Sequence, residues 1–302
     1  MNFFSKIWRV AAYEWFDAIR SRRAIVILLL YLVTAVLGMN GSISMLEKIE
    51  TQLVETLQLP ESKHTGIVST VIWKSKPFQR MVKSLTRDEL VLKDITGKHP
   101  VELIYAWFAF LCAPLLVVLV AANRIPEELG SGAVRYQIFR TSRACWSLGK
   151  YMGMALMVAC AIGIGALGAY VVAAFRLWMG GDSPNFFLGL LQWGFRAWIY
   201  SLAFLGLVMG LSHLTHSPNK ATVLGILALV ACSVLHVLAS IHRYTGRLSE
   251  VWVYVERLIP SAYKGELWRF SVPPLATASA SLVALGFCYL LLGYAFFRRR
   301  DV

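Results

Sequence analysis

The stretch RSRRAIVILLLYLVTAVLGMN, Arg20 to Asn40, decides the fold. Arginines stand directly before an apolar run of about 16–20 residues, enough for a helix to cross the hydrocarbon core of a bilayer. The run has no A-x-A-like end, and a 20-residue amphipathic segment precedes it, so it reads as a retained span. A basic flank beside a span marks the cytoplasmic side.

The signal recurs along the chain. The 302 residues are 57% hydrophobic, 13% aromatic and only 16% charged, whereas a soluble domain carries about a quarter charged residues. Candidate spans lie near 24–44, 101–122, 151–174, 190–212, 221–241 and 274–297. They predict an all-α polytopic membrane protein with six transmembrane helices, forming one transmembrane domain over 1–302. An even number of spans puts both termini on one side. Arg20, Arg22 and Arg23 precede the first span and Arg298, Arg299 and Arg300 follow the last, so both termini are expected in the cytoplasm. The net charge of +13 fits the same picture, with basic residues facing anionic lipid. Nucleic-acid binding is not expected, because no zinc-finger or RRM-like motif accompanies the charge. Of the cysteines, Cys112, Cys160, Cys232 and Cys288 sit in apolar runs and Cys145 in a basic loop, without any CxxC. Free thiols are expected rather than a disulfide framework.

Between the spans, residues 2–22 repeat apolar side chains at helical spacing: Phe4, Ile7, Trp8, Ala11, Ala12, Trp15 and Ile19. Lys6, Arg9, Glu14, Asp17 and Arg20 avoid that stripe, which predicts an amphipathic helix in the membrane interface. Residues 45–100 fall on the outer side. Leu46, Ile49, Leu53 and Leu57 form a stripe that ends at Pro60, and Thr86 and Glu89 have capping-box spacing, predicting a small helical external segment. Within the spans, GIGALGA (Gly163–Ala169) and GLVMG (Gly206–Gly210) supply small residues that let helices approach closely in lipid.

Several chemistries find no support. In SLGKY, Ala144 stands where a P-loop needs glycine and Tyr151 where it needs Ser or Thr, so the chain is not expected to hydrolyse ATP. Neither HExxH nor GxSxG occurs. His213 and His216 in HLTH have no third ligand nearby and read as a polar turn at the membrane edge. His236, near the outer end of the fifth span, reads as hydrogen-bonded within the bundle. No catalytic, cofactor-binding or metal residue is assigned. Arg196, with Gln192 one turn before it, is the unexpected charge. It lies within a turn or two of the outer interface and reads as snorkelling to lipid headgroups, with contact to a substrate anion or a buried acid as the alternative.

Residues 123–150 form a basic cytoplasmic loop carrying Arg124, Arg135, Arg140, Arg143 and Lys150. Glu127 and Glu128 follow Pro126 at a helix start, where negative charge meets the positive end of the dipole. Gly130 and Gly132 interrupt that helix, AVRYQIFRTSR resumes it, and SLGK re-enters the membrane. Phe139 offers an apolar anchor and Arg140 and Arg143 polar contacts, a composition that suits docking to a soluble partner.

The order of these features resembles the ABC-2 type permease family, the membrane subunits of many bacterial ABC exporters. YEWFDAIRSRRAIVILLLY resembles that family's elbow helix, with its Glu and basic cluster before the first span. Glu127 and Glu128, Gly130-Ser131-Gly132, RTSR and Gly149-Lys150 resemble the segment between its second and third spans, with Thr141 where Pro is usual and SGA where Gly-Thr is usual. RLIPSAYKGELW resembles its Pro-containing external helix, and FFRRRD its basic terminus. The resemblance implies that 123–150 is a coupling element that fits a cleft in a separate ATP-binding subunit. Glu127, Glu128, Gly130, Phe139, Arg140 and Arg143 are then its partner-binding residues. It implies two ATPase copies that hold ATP and Mg, a second permease chain, identical or homologous, and a bacterial inner or plasma membrane. The function implied is ATP-powered export or lateral movement of an amphipathic substrate. An ABC motor acting on an external partner through 45–100, a secondary transporter and an intramembrane enzyme are the rival readings. The spans show too few convergent polar groups for the last.

Overall fold

The computed structural model describes residues 2–57, 98–177, 183–242 and 249–299. Among them the chain is helical with no strand. α1 (Phe3–Arg20) turns at Ser21–Arg22 into α2 (Arg23–Leu57). α3 (Pro100–Ala121) leads to two short helices, α4 (Arg124–Ser131) and α5 (Ala133–Arg140). α6 (Arg143–Leu177), α7 (Ser183–Ser212) and α8 (Pro218–His242) follow. α9 (Ser249–Leu258), a 3-10 turn (Pro260–Tyr263) and one helical turn (Lys264–Leu267) form a hairpin before α10 (Val272–Arg298).

Six segments are long and apolar enough to cross a membrane: Arg23–Lys48, Pro100–Ser131, Arg143–Leu177, Asn185–Ser212, Pro218–His242 and Val272–Arg298. They coincide with the six expected spans and overrun their ends. α2 continues without a break past the span's end at Lys48 to Leu57, so the stripe over 45–57 is helical and continuous with the first span; no proline interrupts it before Pro60. The Thr86–Glu89 spacing lies outside the described residues. α6 starts at Arg143, eight residues before the expected span, because the Ser142 hydroxyl accepts from the Cys145 amide at 3.2 Å and caps the helix there.

α7 is the most buried span and α2, α8 and α10 are the least. Its seam with α10 is made of backbone. A Cβ on Gly206 would collide with the Gly286 carbonyl, and one on Gly286 would lie 2.6 Å from the Leu202 oxygen. Gly210 and Gly293 meet in the same way one to two turns along. These glycines remove the side-chain layer that normally separates two helices. α3 and α6 cover the other sides of α7, and α2 lies on α6, where Tyr31 and Leu32 fill the space over Gly165 and Gly168. α8 stays peripheral and buries only Ala221, Gly225, Leu229 and Ala239.

α1 departs from the expected stripe. Ala11, Glu14 and Ala18 face inward, while Phe4, Trp8 and Ile19 of the stripe are exposed together with Phe3, Tyr13 and Phe16. The stripe is therefore divided: Ala11 is buried, Ile7, Ala12 and Trp15 are half-buried, and Phe4, Trp8 and Ile19 face away from the bundle, while the buried face gathers small residues around one carboxylate.

Candidate functional site

α1 reaches the bundle over two glycines of α6. A Cβ on Gly149 would lie 2.7 Å from Val10 Cγ1 and 2.9 Å from the Ile7 carbonyl. On Gly153 it would lie 3.0 Å from Glu14 Cβ and 3.2 Å from the Ala11 carbonyl. The close approach carries Glu14 onto Lys150, which projects between the two glycines. The Lys150 side chain is only 1% exposed. Its Nζ donates to Glu14 Oε1 and, at 2.8 Å, to Glu128 Oε1 of α4. Burial pushes the Glu14 carboxyl above its ordinary range, with Lys150 pulling the other way.

Glu128 accepts from three donors. Besides Lys150, Gln137 Nε2 of α5 donates at 3.2 Å and Trp146 Nε1 of α6 at 3.0 Å. One carboxylate thus ties α4, α5 and α6 together. Around it, Arg23 pairs with Glu127, and Arg124 Nη1 lies 3.2 Å from Asp17 Oδ2, so the α1–α2 turn is fastened to α4 by more exposed pairs. The Trp146 ring packs at 5.4 Å on Phe297 of α10 and edge-on to His213 at 6.1 Å. His213 Nδ1 lies 2.7 Å from the Met209 carbonyl, which can only accept, so in the neutral ring Nε2 accepts from Ser147 Oγ at 3.1 Å. His213 is buried in this junction rather than turned to the membrane edge. Arg143 Nη1 donates to the Arg298 carbonyl at 3.0 Å and lies over the Phe297 ring. The ends of α1, α6, α7 and α10 and the α4–α5 hairpin therefore meet at one junction, at the end of the bundle that carries both termini.

The six residues singled out in the sequence divide here. Phe139, at 90% exposure, and Arg140 project from α5 away from the bundle, beside Arg135 and Tyr136. Glu127, Glu128 and Arg143 turn inward, each held by a partner on another element. Within the chain the Glu128 carboxylate is already filled by Lys150, Gln137 and Trp146, while Glu127 is 31% exposed and Arg143 is half-buried. Gly130 is not the hinge. A Cβ there would lie 2.7 Å from the His216 carbonyl, so it permits the α7–α8 turn to approach. Gly132, at φ +72°, makes the turn between α4 and α5 in the left-handed region that glycine tolerates.

At the far end, Arg196 does not snorkel. It is 3% exposed, and its Nη1 donates to the carbonyls of Leu267 and Arg269 at 3.0 and 3.2 Å. Its guanidinium centre lies 4.9 Å from the Trp193 ring centre and 4.4 Å from that of Phe270. Its contacts among the described residues are with the backbone of the hairpin before α10, which folds over it, so burial replaces the expected reach to the headgroups. Gln192 is exposed on α7 and lies off this cluster.

Glu14 and Lys150 are the residues that sequence reasoning missed as a pair. A signal existed. Glu14 lies between Ala11 and Ala18 on one helical face, and Lys150 between Gly149 and Gly153; small residues around a charge mark a face that is packed tightly against another helix.

The profile of the family described as "ABC-2 family transporter protein" matches residues 8–302. A comparison with curated proteins finds no match. The six apolar helices and a family match over nearly the whole length lead to one conclusion: the chain belongs to the ABC-2 transporter family and is a multi-pass membrane transport subunit of the kind that works with an ABC ATPase subunit.

Proposed function

We propose that the chain is the permease subunit of an ATP-driven exporter and that the α4–α5 hairpin is where a separate ATPase subunit docks. The observation that carries this reading is the division within the hairpin. Its inner face is fastened by Glu127 and Glu128, while Tyr136 and Phe139 of α5 stand 79% and 90% exposed between Arg135 and Arg140. An exposed aromatic pair rimmed by arginines, mounted on a held support, has the composition of an interface centre. The basic flanks place this end and both termini in the cytoplasm. The exposed aromatics of α1 suit the adjoining membrane interface. Two permease chains, identical or homologous, form the path for an amphipathic substrate, and two ATPase subunits bind ATP and Mg and supply the energy.

Co-purification of the ATPase subunit tests the reading. Phe139→Ala should weaken association more than Arg135→Ala, since a central aromatic contributes more than a rim charge. Wild-type association after joint replacement of Tyr136, Phe139 and Arg140 by Ala would reject the hairpin as the docking element.

A further inference from the structure

We infer that Lys150 is the positioning residue that makes α1, the α4–α5 hairpin and the first turns of α6 move as one body. The inference rests on the coupling reading above and deepens it, giving Glu14 and Lys150 a role in transmission. Lys150 is enclosed, and its two carboxylate partners come from separate elements, Glu14 of α1 and Glu128 of α4. A buried ion pair is a weak source of net stability, yet separating its members is costly because a charge is left in dry packing. Such a contact resists being pulled apart even where it contributes little to folding.

The surrounding geometry points the same way. Gly149 and Gly153 seat the α1 backbone directly on α6 on either side of Lys150, leaving no side-chain layer in which the helices could slip. Glu128 also gathers Gln137 of α5 and Trp146 of α6, so the hairpin's second helix is held by the same carboxylate. A displacement applied to the outward face of α5 reaches α6 and α1 through charge-assisted hydrogen bonds and backbone contact. From Trp146 it passes to Phe297 and α10.

The test uses the double variant Glu14→Gln with Lys150→Met. It removes one carboxylate and one ammonium together, keeps side-chain size, and leaves Glu128 its bonds to Gln137 and Trp146. Glu128 loses its cation but is 18% exposed and keeps two hydrogen-bond donors for its charge, so the chain should fold. Nitroxide labels at the exposed positions Tyr13 on α1 and Ser131 at the end of α4 report their separation by double electron–electron resonance. It is measured in the permease alone and in the permease–ATPase complex in lipid nanodiscs, without nucleotide and after trapping with Mg-ATP and vanadate. A second pair, at Phe175 and Val272, reports the far end of the bundle. In the wild-type chain the Tyr13–Ser131 distribution should be narrow and should not shift on trapping, while the Phe175–Val272 distance should change. In the double variant the first distribution should broaden and shift on trapping, and the far-end response should fall at least about tenfold in amplitude, a threshold set by the 1.4 kcal/mol that a decade in an equilibrium represents. A wild-type Tyr13–Ser131 distance that moves with nucleotide overturns the inference. So does a double variant that matches wild type at both label pairs, even if the single variant Lys150→Met is unstable; Lys150 would then be a structural residue only. If the wild-type chain retains no ATPase subunit, the coupling reading fails, and the label distribution in the permease alone still decides whether α1 and α4 are locked.

Discussion

Arg196→Lys should release the hairpin that precedes α10. The wild-type guanidinium spans two carbonyls, Leu267 and Arg269, and lies against the rings of Trp193 and Phe270. Both bonds leave one nitrogen, Nη1, while the guanidinium plane rests on the two rings; lysine keeps the charge but replaces that plane by a compact ammonium, which cannot hold both carbonyls and both ring contacts at once. One hydrogen bond from a charged donor is worth roughly 1.5–3 kcal/mol. Reduced ring contact adds about 0.5–1 kcal/mol. The sum, about 2–4 kcal/mol, falls first on docking of the hairpin, where Leu267 and Trp268 are the other buried anchors, Trp268 packing on Phe110 and Trp193. A single cysteine placed at the fully buried Leu267, in a background free of other cysteines, reads that docking by its rate of thiol labelling. Since 1.4 kcal/mol is a factor of ten, Arg196→Lys should speed labelling about 30- to 1000-fold, and Arg196→Met should do so as well. A rate in Arg196→Lys within about twofold of the wild-type rate would show that the guanidinium is not what holds the hairpin, and the snorkelling reading would return.

Three further outcomes are expected. Gly206→Ala puts a methyl group into the Gly286 carbonyl and should cost about 1–3 kcal/mol as overpacking, seen as a lower melting temperature in detergent. Gly163→Ala, with open space around its Cβ, should leave the melting temperature unchanged. Glu128→Lys puts an ammonium against Lys150 and should detach the hairpin at roughly 3 kcal/mol, read as faster tryptic cleavage after Arg135 and Arg140; wild-type cleavage rates would contradict the network. Arg22, at φ +58°, sits in the left-handed region between α1 and α2, so Arg22→Gly should be stabilising or neutral and Arg22→Val destabilising by about 1–2 kcal/mol, and equal melting temperatures would remove the strain argument.

The spans were legible because each is a long apolar run, and that signal needs no knowledge of neighbours. The charges were harder. Arg196 one or two turns below an interface has the same sequence signature whether it reaches up to headgroups or is roofed by chain; the hairpin at 259–271 decides, and nothing in the local pattern places it over α7. Glu14 was assigned to the polar side of α1 because carboxylates usually face water. The inward face is instead centred on the small residues Ala11 and Ala18, where close backbone approach matters more than the large members of the apolar stripe, Phe4, Trp8 and Ile19. That stripe has lipid as an alternative solvent, so in a membrane protein the most hydrophobic face of a helix need not be the packed one. The inward turn of Glu127 and Glu128 could not be read from the hairpin alone, since their partners Arg23 and Lys150 lie on helices far apart in sequence.

The distribution of close contacts also bears on how motion can travel through the bundle. Where α7 meets α10, glycine backbones touch, and neither helix can slide past the other without separating first. Where α1 meets α6, the same holds at Gly149 and Gly153, with a buried ion pair added. Side-chain layers, which can repack between rotamers, lie instead between α2 and α6 and around α8, whose buried stripe is four small or medium residues. Packed interfaces tend to have discrete arrangements rather than continuous give. In the proposed transporter, a displacement at α5 therefore carries α1 with α6 as one body and α7 with α10 as another, and the edges of α2 and α8 are free to repack. Those two helices, like α10, turn most of their apolar surface outward, so the repacking boundary also lies on surface open to lipid or to a second permease chain.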